Sequence, residues 1–177
     1  MDAHSKQHCV KTLATIANIN VECLVYWSEE GVLPLDLDAD ACARAAKCPY
    51  PLVNLAHLVR APIAGKQRPP NGNAFVAALN ATMLAWLVAR SQLWNCRMLL
   101  GLSFADTKSL ADCGPSQVVR LAEQGAHHLT PRWANHTAFW NSLTRHAATG
   151  DEQGLEATRL HGLQLLVLEK LSHPKCA

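Results

Sequence analysis

Apolar residues recur at helical spacing along most of this chain. Between Lys6 and Trp27 the residues of one face lie three or four positions apart, which predicts a first long helix. That face consists of Leu13, Ile16, Ala17, Asn20, Leu24 and Trp27. Two shorter helices are predicted over 40–47 and 50–59, and longer apolar or amphipathic runs predict helices over 74–94 and 151–171. The pattern therefore predicts an all-α fold.

Local signals divide the second half further. Ser103 and Asp106 have the spacing of a capping box, which opens a short helix ending at Asp112. Gly114 and Pro115 break the chain before the next predicted helix, 116–124, and another helix is predicted over 137–146. We expect these helices to share a second core formed by Leu79, Met83, Leu84, Leu87, Leu110, Val118, Leu121, Leu163 and Leu166.

The stretch from Ala61 to Asn73 is rich in proline, glycine and polar residues and predicts a linker. It divides the chain into an N-terminal helical lobe, 1–60, and a helical domain, 74–177. The two parts share short matches, such as V-N-L-A from Val53 and V-R-L-A from Val119. Such matches fit either a tandem duplication, giving two similar lobes, or chance similarity between helical sequences.

Charge identifies the region where a polyanion would bind. The formal net charge of the 177 residues is only +2, too weak to indicate nucleic-acid binding by itself. The cations between positions 90 and 146 outnumber Asp106, Asp112 and Glu123 in that stretch, so we expect any DNA contact there. The candidates are Lys108, Arg120, Arg97, Arg132, Arg90 and Arg145.

Motifs of enzymes and metal sites are absent from the sequence. The seven cysteines include no C-x-x-C pair, and the histidines lack the spacing of metal ligands, so we expect reduced thiols, no metal and no cofactor. No nucleophile elbow or phosphate-binding loop is present, and we expect no enzyme activity. The N-terminal residues do not resemble a signal peptide, and the most apolar run, from Ala74, is shorter than the roughly 20 residues of a membrane span. We expect a cytoplasmic protein.

The segment from Leu100 to Gln124 carries the most specific local pattern. It reads L-G-L-S-F-A-D-T-K-S-L-A-D-C-G-P-S-Q-V-V-R-L-A-E-Q. This segment resembles the FlhD family of flagellar master regulators, in which a helix opened by L-G-I and containing L-A is followed by a proline turn and Q-x-V-K-L-A-E. The resemblance extends from the helix around Leu79 to the last helix, with R-L-H-G-L-Q-L from Arg159, and so covers roughly 74–171.

The resemblance implies a role in transcription. FlhD-type proteins are helical, dimerise, and assemble with FlhC-type subunits that carry a zinc site and most of the DNA contact. It therefore implies an activator subunit with an FlhC-like partner, promoter DNA bound through the complex, and a flagellar or mobile-element setting. Leu99 stands where the family often has arginine, and Leu129 and Thr130 stand where it has a cysteine, so the family's inter-subunit disulfide does not carry over.

Two alternatives remain open at the level of sequence. Trp133, Phe139 and Trp140 form either a partner-facing apolar patch or part of the core. The chain as a whole is either the activator subunit that the resemblance implies or an adaptor that binds only proteins, such as an antagonist of a regulator. A helical enzyme with an unrecognised site is the third class, which a polar, substrate-shaped pocket would favour.

Overall fold

The structure is a computed structural model that describes residues 3–33, 37–60, 70–91 and 98–172, and the prediction of an all-α fold is confirmed. Its helices are α1 (Ala3–Glu29), α2 (Ala39–Ala45), α3 (Leu55–Val59), α4 (Gly72–Ser91), α5 (Phe104–Ala111), α6 (Pro115–Gly125), α7 (Thr137–Thr149) and α8 (Glu152–Ser172). A single 3₁₀ turn, Ala126–His128, follows α6. No strand occurs within these ranges.

Side-chain caps explain where several helices begin. The Asp38 carboxylate accepts a hydrogen bond from the Ala41 amide at 2.6 Å and opens α2. Ser103 and Asp106 form the predicted capping box, with the Asp106 amide donating to Ser103 Oγ at 3.1 Å. Gly150 ends α7 in the left-handed conformation, at φ 70°. These short signals fix the helix boundaries locally.

The helix predicted over 50–59 begins only at Leu55. The residues before it are extended and pair with a second extended segment: the Arg132 amide donates to the Leu52 carbonyl at 2.6 Å, and the Asn54 amide donates to the Thr130 carbonyl at 2.9 Å. Val53 and Pro131 form an isolated antiparallel bridge between the same two segments. The two extended segments therefore replace the first turns of the predicted helix.

Helices α1 and α4 pack against each other in antiparallel orientation. The side-chain amide of Asn80 donates to the Glu22 carboxylate at 2.8 Å. Two helical turns away, the side-chain amide of Asn73 donates to the Glu29 carboxylate at 3.2 Å. The buried face of α4 is mostly alanine, from Ala74 to Ala89, which allows close approach of the neighbouring helices. Among the described helices α4 alone has the length and apolar composition of a membrane span, but this face packs against α1, α5 and α6.

One core extends across the predicted boundary at 61–73. The Trp27 indole donates to the Leu129 carbonyl at 2.9 Å, and its ring meets Trp140 edge to face with centroids 5.9 Å apart. Helix α2 packs on α7, and α3 packs on α4, α5 and α6. The prediction of two separate cores is therefore wrong, because the N-terminal helices bury their apolar faces against the C-terminal ones. Residues 61–69 of the predicted linker lie outside the described residues, and α4 already includes residues 72 and 73.

The nine predicted core residues divide into three groups. Leu84, Leu110, Val118 and Leu166 are buried, as predicted, and Leu79, Met83 and Leu121 are half-buried at the edge of the core. Leu87 and Leu163 are 55% and 39% exposed, so their assignment to the core is wrong. Both lie on helices whose apolar residues extend beyond the buried face.

Candidate functional site

The segment that carries the sequence resemblance folds into the two short helices α5 and α6, both of which pack on α3 and α4. Thr107 and Leu110 of α5 are buried, as are Val118 and Ala122 of α6. The turn between the helices is fixed from both sides. The Trp86 indole donates to the Cys113 carbonyl at 2.9 Å, and the Gly114 amide donates to Gln117 Oε1 at 2.7 Å. The outer faces of α5 and α6 are thus held in a defined position.

An ion pair joins the start of α5 to the end of α3. Arg60 donates to both Asp106 oxygens, from Nε at 2.9 Å and from Nη2 at 2.5 Å. Burial alone would raise the pKa of Asp106, but hydrogen bonds from Arg60 and Ser103 outweigh it and lower the pKa. Asp106 is therefore a charged anchor within this unit, and its charge is matched by Arg60.

The exposed surface of α5 and α6 is balanced in charge. Lys108 and Arg120, two of the candidate DNA ligands, are exposed, and so are Asp112, directly after α5, and Glu123 on α6. Phe104 is 58% exposed and Val119 is 37% exposed. The exposed residues of the two helices thus combine apolar groups with charges of both signs, a composition more typical of protein-binding surfaces than of phosphate-binding ones.

Arg132 is not a surface cation, so its candidacy as a DNA ligand is wrong. It is 3% exposed, its Nη2 lies 2.9 Å from Glu169 Oε2, and its Nη1 donates to the Leu99 carbonyl at 2.8 Å. Its guanidinium lies over the Trp133 ring at 5.1 Å from the centroid. Burial lowers the pKa of Arg132, and the Glu169 carboxylate opposes that shift. From the extended segment after α6, Arg132 connects the last helix to the residues before α5, because one arginine can donate to acceptors in both.

The remaining candidate cations lie apart from the α5–α6 surface in sequence. Arg90, at the end of α4, is exposed and its guanidinium lies 5.0 Å from the centroid of the Trp86 ring. Arg145 is exposed on α7, and its Nη2 is 3.1 Å from His146 Nε2. Arg97 lies outside the described residues.

The aromatic residues proposed as a partner patch belong to the core. Phe139 is fully buried and Trp140 is 4% exposed, so of the two alternatives these residues belong to the core and do not face a partner. Trp133 is half-buried and meets Tyr50 and Phe139 edge to face, with centroids 5.6 and 5.2 Å apart. The two indole N–H groups find internal acceptors, as buried tryptophans usually do. Trp140 donates to the Arg132 carbonyl, and Trp133 donates to Glu169.

The described cysteines are poor nucleophiles. Burial raises the pKa of Cys23 and Cys42, and raises that of Cys48 to about 11. Within the described part of the chain, no three His, Cys, Asp or Glu side chains come together as a metal site would require.

A groove of about 540 Å³ lies between α1 and α4. Ile19, Met83 and Leu87 contribute apolar surface to it, and Thr12 and Asn18 contribute polar groups. Glu22 is the one acid among the described residues lining it, and Glu22 accepts both hydrogen bonds from the Asn80 amide. The groove thus offers a surface for binding and no pair of groups placed for acid–base chemistry.

Sequence reasoning missed two features of the surface. Phe104 and Val119 were not singled out, because apolar residues of a short helix are expected in its core face, and only the packing of α5 and α6 shows that both face solvent. Leu160, Leu163, Val167, Leu168 and Leu171 form an exposed stripe on α8. Their helical spacing is visible in the sequence, but of the five only Leu163 was assigned to a face, and it was predicted to lie in the core.

Comparison with known proteins adds no relative. No protein-family model matches the chain, and no curated protein or solved structure is significantly similar to it.

Proposed function

We propose that this chain acts by assembly rather than by chemistry, as a cytoplasmic helical subunit of a transcription-activating complex of the FlhD type. Its partner would be an FlhC-like protein. The observation that carries the proposal is the α5–α6 unit: the segment with the sequence resemblance to FlhD is held on α3 and α4 and presents a mixed apolar and charged outer surface. Such a surface suits a protein partner.

The partner would contact the outer faces of α5 and α6. Phe104 and Val119 supply the apolar contacts, because their burial in a complex removes exposed apolar area from water. The charges of Lys108 and Arg120 would orient the partner as it binds. Asp112 and Glu123 would pair with basic groups of the partner. The Arg60–Asp106 pair fixes the start of α5 and so reduces the conformational entropy that is lost when the partner binds.

DNA contact by this chain would be limited to phosphates. Lys108 and Arg120 are the exposed cations of the unit, and the nearby acids cancel their field at long range. Most of the DNA affinity of the complex would therefore come from the FlhC-like subunit. An adaptor with no DNA contact is the second candidate, favoured by this same balance of charge and by the burial of Arg132.

The test measures complex formation first. The chain is mixed with an FlhC-like protein from the same genome and the complex is followed by size-exclusion chromatography with light scattering. Phe104→Ala should weaken the complex at least about tenfold, as for an interface hot spot. Val76→Ala is the control, since Val76 is a 47% exposed apolar residue on α4 and not part of α5 or α6. An equal effect of both substitutions, or no complex at all, would overturn the proposal.

DNA contact is tested on the same complex with a library of genomic fragments. The slope of the logarithm of the binding constant against the logarithm of the salt concentration counts phosphate contacts. Lys108→Ala and Arg120→Ala should each lower the magnitude of this slope by about one if the side chain contacts a phosphate. Lys47→Ala, at an exposed cation that is not among the candidate DNA ligands, serves as the control. An unchanged slope in both variants would favour the adaptor.

A further inference from the structure

The groove between α1 and α4 has the size of a small-molecule site. Ile19 and Leu84 are buried at its floor, and Leu87 is 55% exposed beside them. From Asn80 to Ser91 the groove follows α4 for about 16 Å at the rise of an α-helix. Its volume of about 540 Å³ falls within the roughly 300–1,000 Å³ of ligand pockets. Three helical turns offer much less than the roughly 800 Å² per partner of a standard protein interface, so the groove fits a small molecule better than a protein.

The charge of the groove lies at one end. Glu22 is the single charged side chain among the described residues that line the groove. Nδ2 of Asn80 donates to both of its carboxylate oxygens, at 2.8 and 2.9 Å. The ion pairs formed by the described residues do not include Glu22, so a neutral amide holds this carboxylate and leaves its charge unmatched. A carboxylate has about four lone-pair positions, so Glu22 can accept further hydrogen bonds from a ligand.

The rest of the groove is uncharged and mostly apolar. Met83, Leu87 and Val88 line it on α4 beyond Asn80, in the direction away from Glu22. An apolar chain that starts at Glu22 would cover these side chains and remove their surface from water. The neutral polar residues that also border the groove are Thr12, Thr15, Asn18 and Ser91. One terminal carboxylate followed by an apolar surface is complementary to an apolar molecule with one terminal cation.

We propose that the groove binds a small organic cation of the alkylamine class, with its ammonium group at Glu22 and its hydrocarbon body along α4. The ammonium donates to the carboxylate in a charge-assisted hydrogen bond, which is stronger than a bond between neutral groups. The hydrocarbon body packs on Met83 and Leu87 and displaces water from them. A neutral ligand of the same shape gains only the apolar contact, and Glu22 repels an anionic one. The groove therefore selects its ligand by charge.

The first experiment measures this charge preference on the full chain alone, with octylamine, octanol and octanoate as probes. Binding is followed by the backbone amide chemical shifts in NMR spectra at about pH 7, where the amine is protonated. Octylamine should shift residues of α1 and α4 and bind about fivefold more tightly than octanol, as for an ion pair partly open to solvent. Octanoate should bind more weakly than octanol. Equal affinities, no binding of octylamine, or shifts centred on the exposed apolar residues of α8 would overturn the proposal.

The second experiment assigns the charge preference to Glu22. Glu22→Gln keeps an acceptor for the Asn80 amide and removes the charge, so it should abolish the preference for octylamine over octanol and leave the affinity for octanol unchanged. Glu29→Gln is the matched control, since Glu29 also lies on α1 and accepts from the side-chain amide of Asn73 on α4, but does not line the groove. A preference that survives Glu22→Gln, or that both variants lose equally, contradicts the proposal.

The third experiment tests the position of the hydrocarbon body with amines from butylamine to octylamine. Each added methylene should tighten binding about two- to fourfold, the range between partial and complete burial of the group. Leu87→Ser should reduce this gain for the longer amines and leave butylamine unchanged. Val76→Ser is the control, since Val76 is 47% exposed on α4 and does not line the groove. An affinity independent of chain length, or an equal effect of both substitutions, overturns the proposal. The groove shares no residue with α5 or α6, so the proposed partner complex is tested separately.

Discussion

Asn20 holds the turn that connects the N-terminal helices to the rest of the core. It is fully buried, its Nδ2 donates to the Ala46 carbonyl at 3.2 Å and the Tyr50 carbonyl at 3.0 Å, and its Oδ1 accepts from the Leu52 amide at 2.8 Å. Asn20→Ala would leave three backbone groups without their partner. Each unsatisfied buried group costs about 1–3 kcal/mol, and local relaxation that admits water reduces the sum, so we expect a loss of about 3 kcal/mol.

Urea unfolding followed by circular dichroism measures this loss. With a slope of about 2 kcal/mol per molar urea, 3 kcal/mol corresponds to a midpoint shift of about 1.5 M. Asn18→Ala on the same helix is the control, because Asn18 is exposed and the substitution brings the same gain in helix propensity. A midpoint shift for Asn20→Ala within about 0.3 M of the control would refute the reasoning, because it would mean that the three hydrogen bonds contribute little.

Three further predictions concern buried contacts. Glu169→Ala should lower the free energy of unfolding by about 3 kcal/mol, since it leaves the buried guanidinium of Arg132 without its carboxylate. Arg132→Met should lower the free energy of unfolding by less. The reverse order of the two losses in urea unfolding would contradict this. Gly162→Ala should lower the thermal midpoint, because a Cβ there would overlap the Tyr50 hydroxyl, whereas Gly72→Ala, with open space around it, should not. Because folding lowers the pKa of Asp106, its carboxylate stabilises the protein at pH values above its unfolded-state pKa, and this stability is lost as the pH falls through its folded-state pKa. In a pH series of unfolding midpoints, Asp106→Asn should therefore lose less stability at acid pH than the wild type.

The helices were predictable because their signals are local. The capping box at Ser103, the proline at the first turn of α6 and the apolar spacing of α1 each depend on residues within one or two turns. Asn20 was correctly placed on the apolar face of α1 for the same reason, but its three hydrogen bonds were not predictable, since their acceptors and donor lie 26 to 32 residues away.

The candidate site was predicted less well. Charge counting treats every arginine alike, yet Arg132 is buried against Glu169, 37 residues later, and Arg120 is exposed. The exposed stripe of α8 has the same spacing as a buried face, and only packing decides which face of an apolar helix the core covers. The shared core was not predictable, because a linker-like sequence does not show whether the helices on either side pack together.

The most direct test of the proposed function is whether promoter DNA is bound only by the complex. The purified chain, an FlhC-like protein from the same genome, and their mixture are each titrated against labelled genomic fragments over a series of salt concentrations. The account predicts that the mixture selects specific fragments more tightly than the FlhC-like protein alone and that this chain alone binds none. Selection by the FlhC-like protein alone with no change on adding this chain would contradict it.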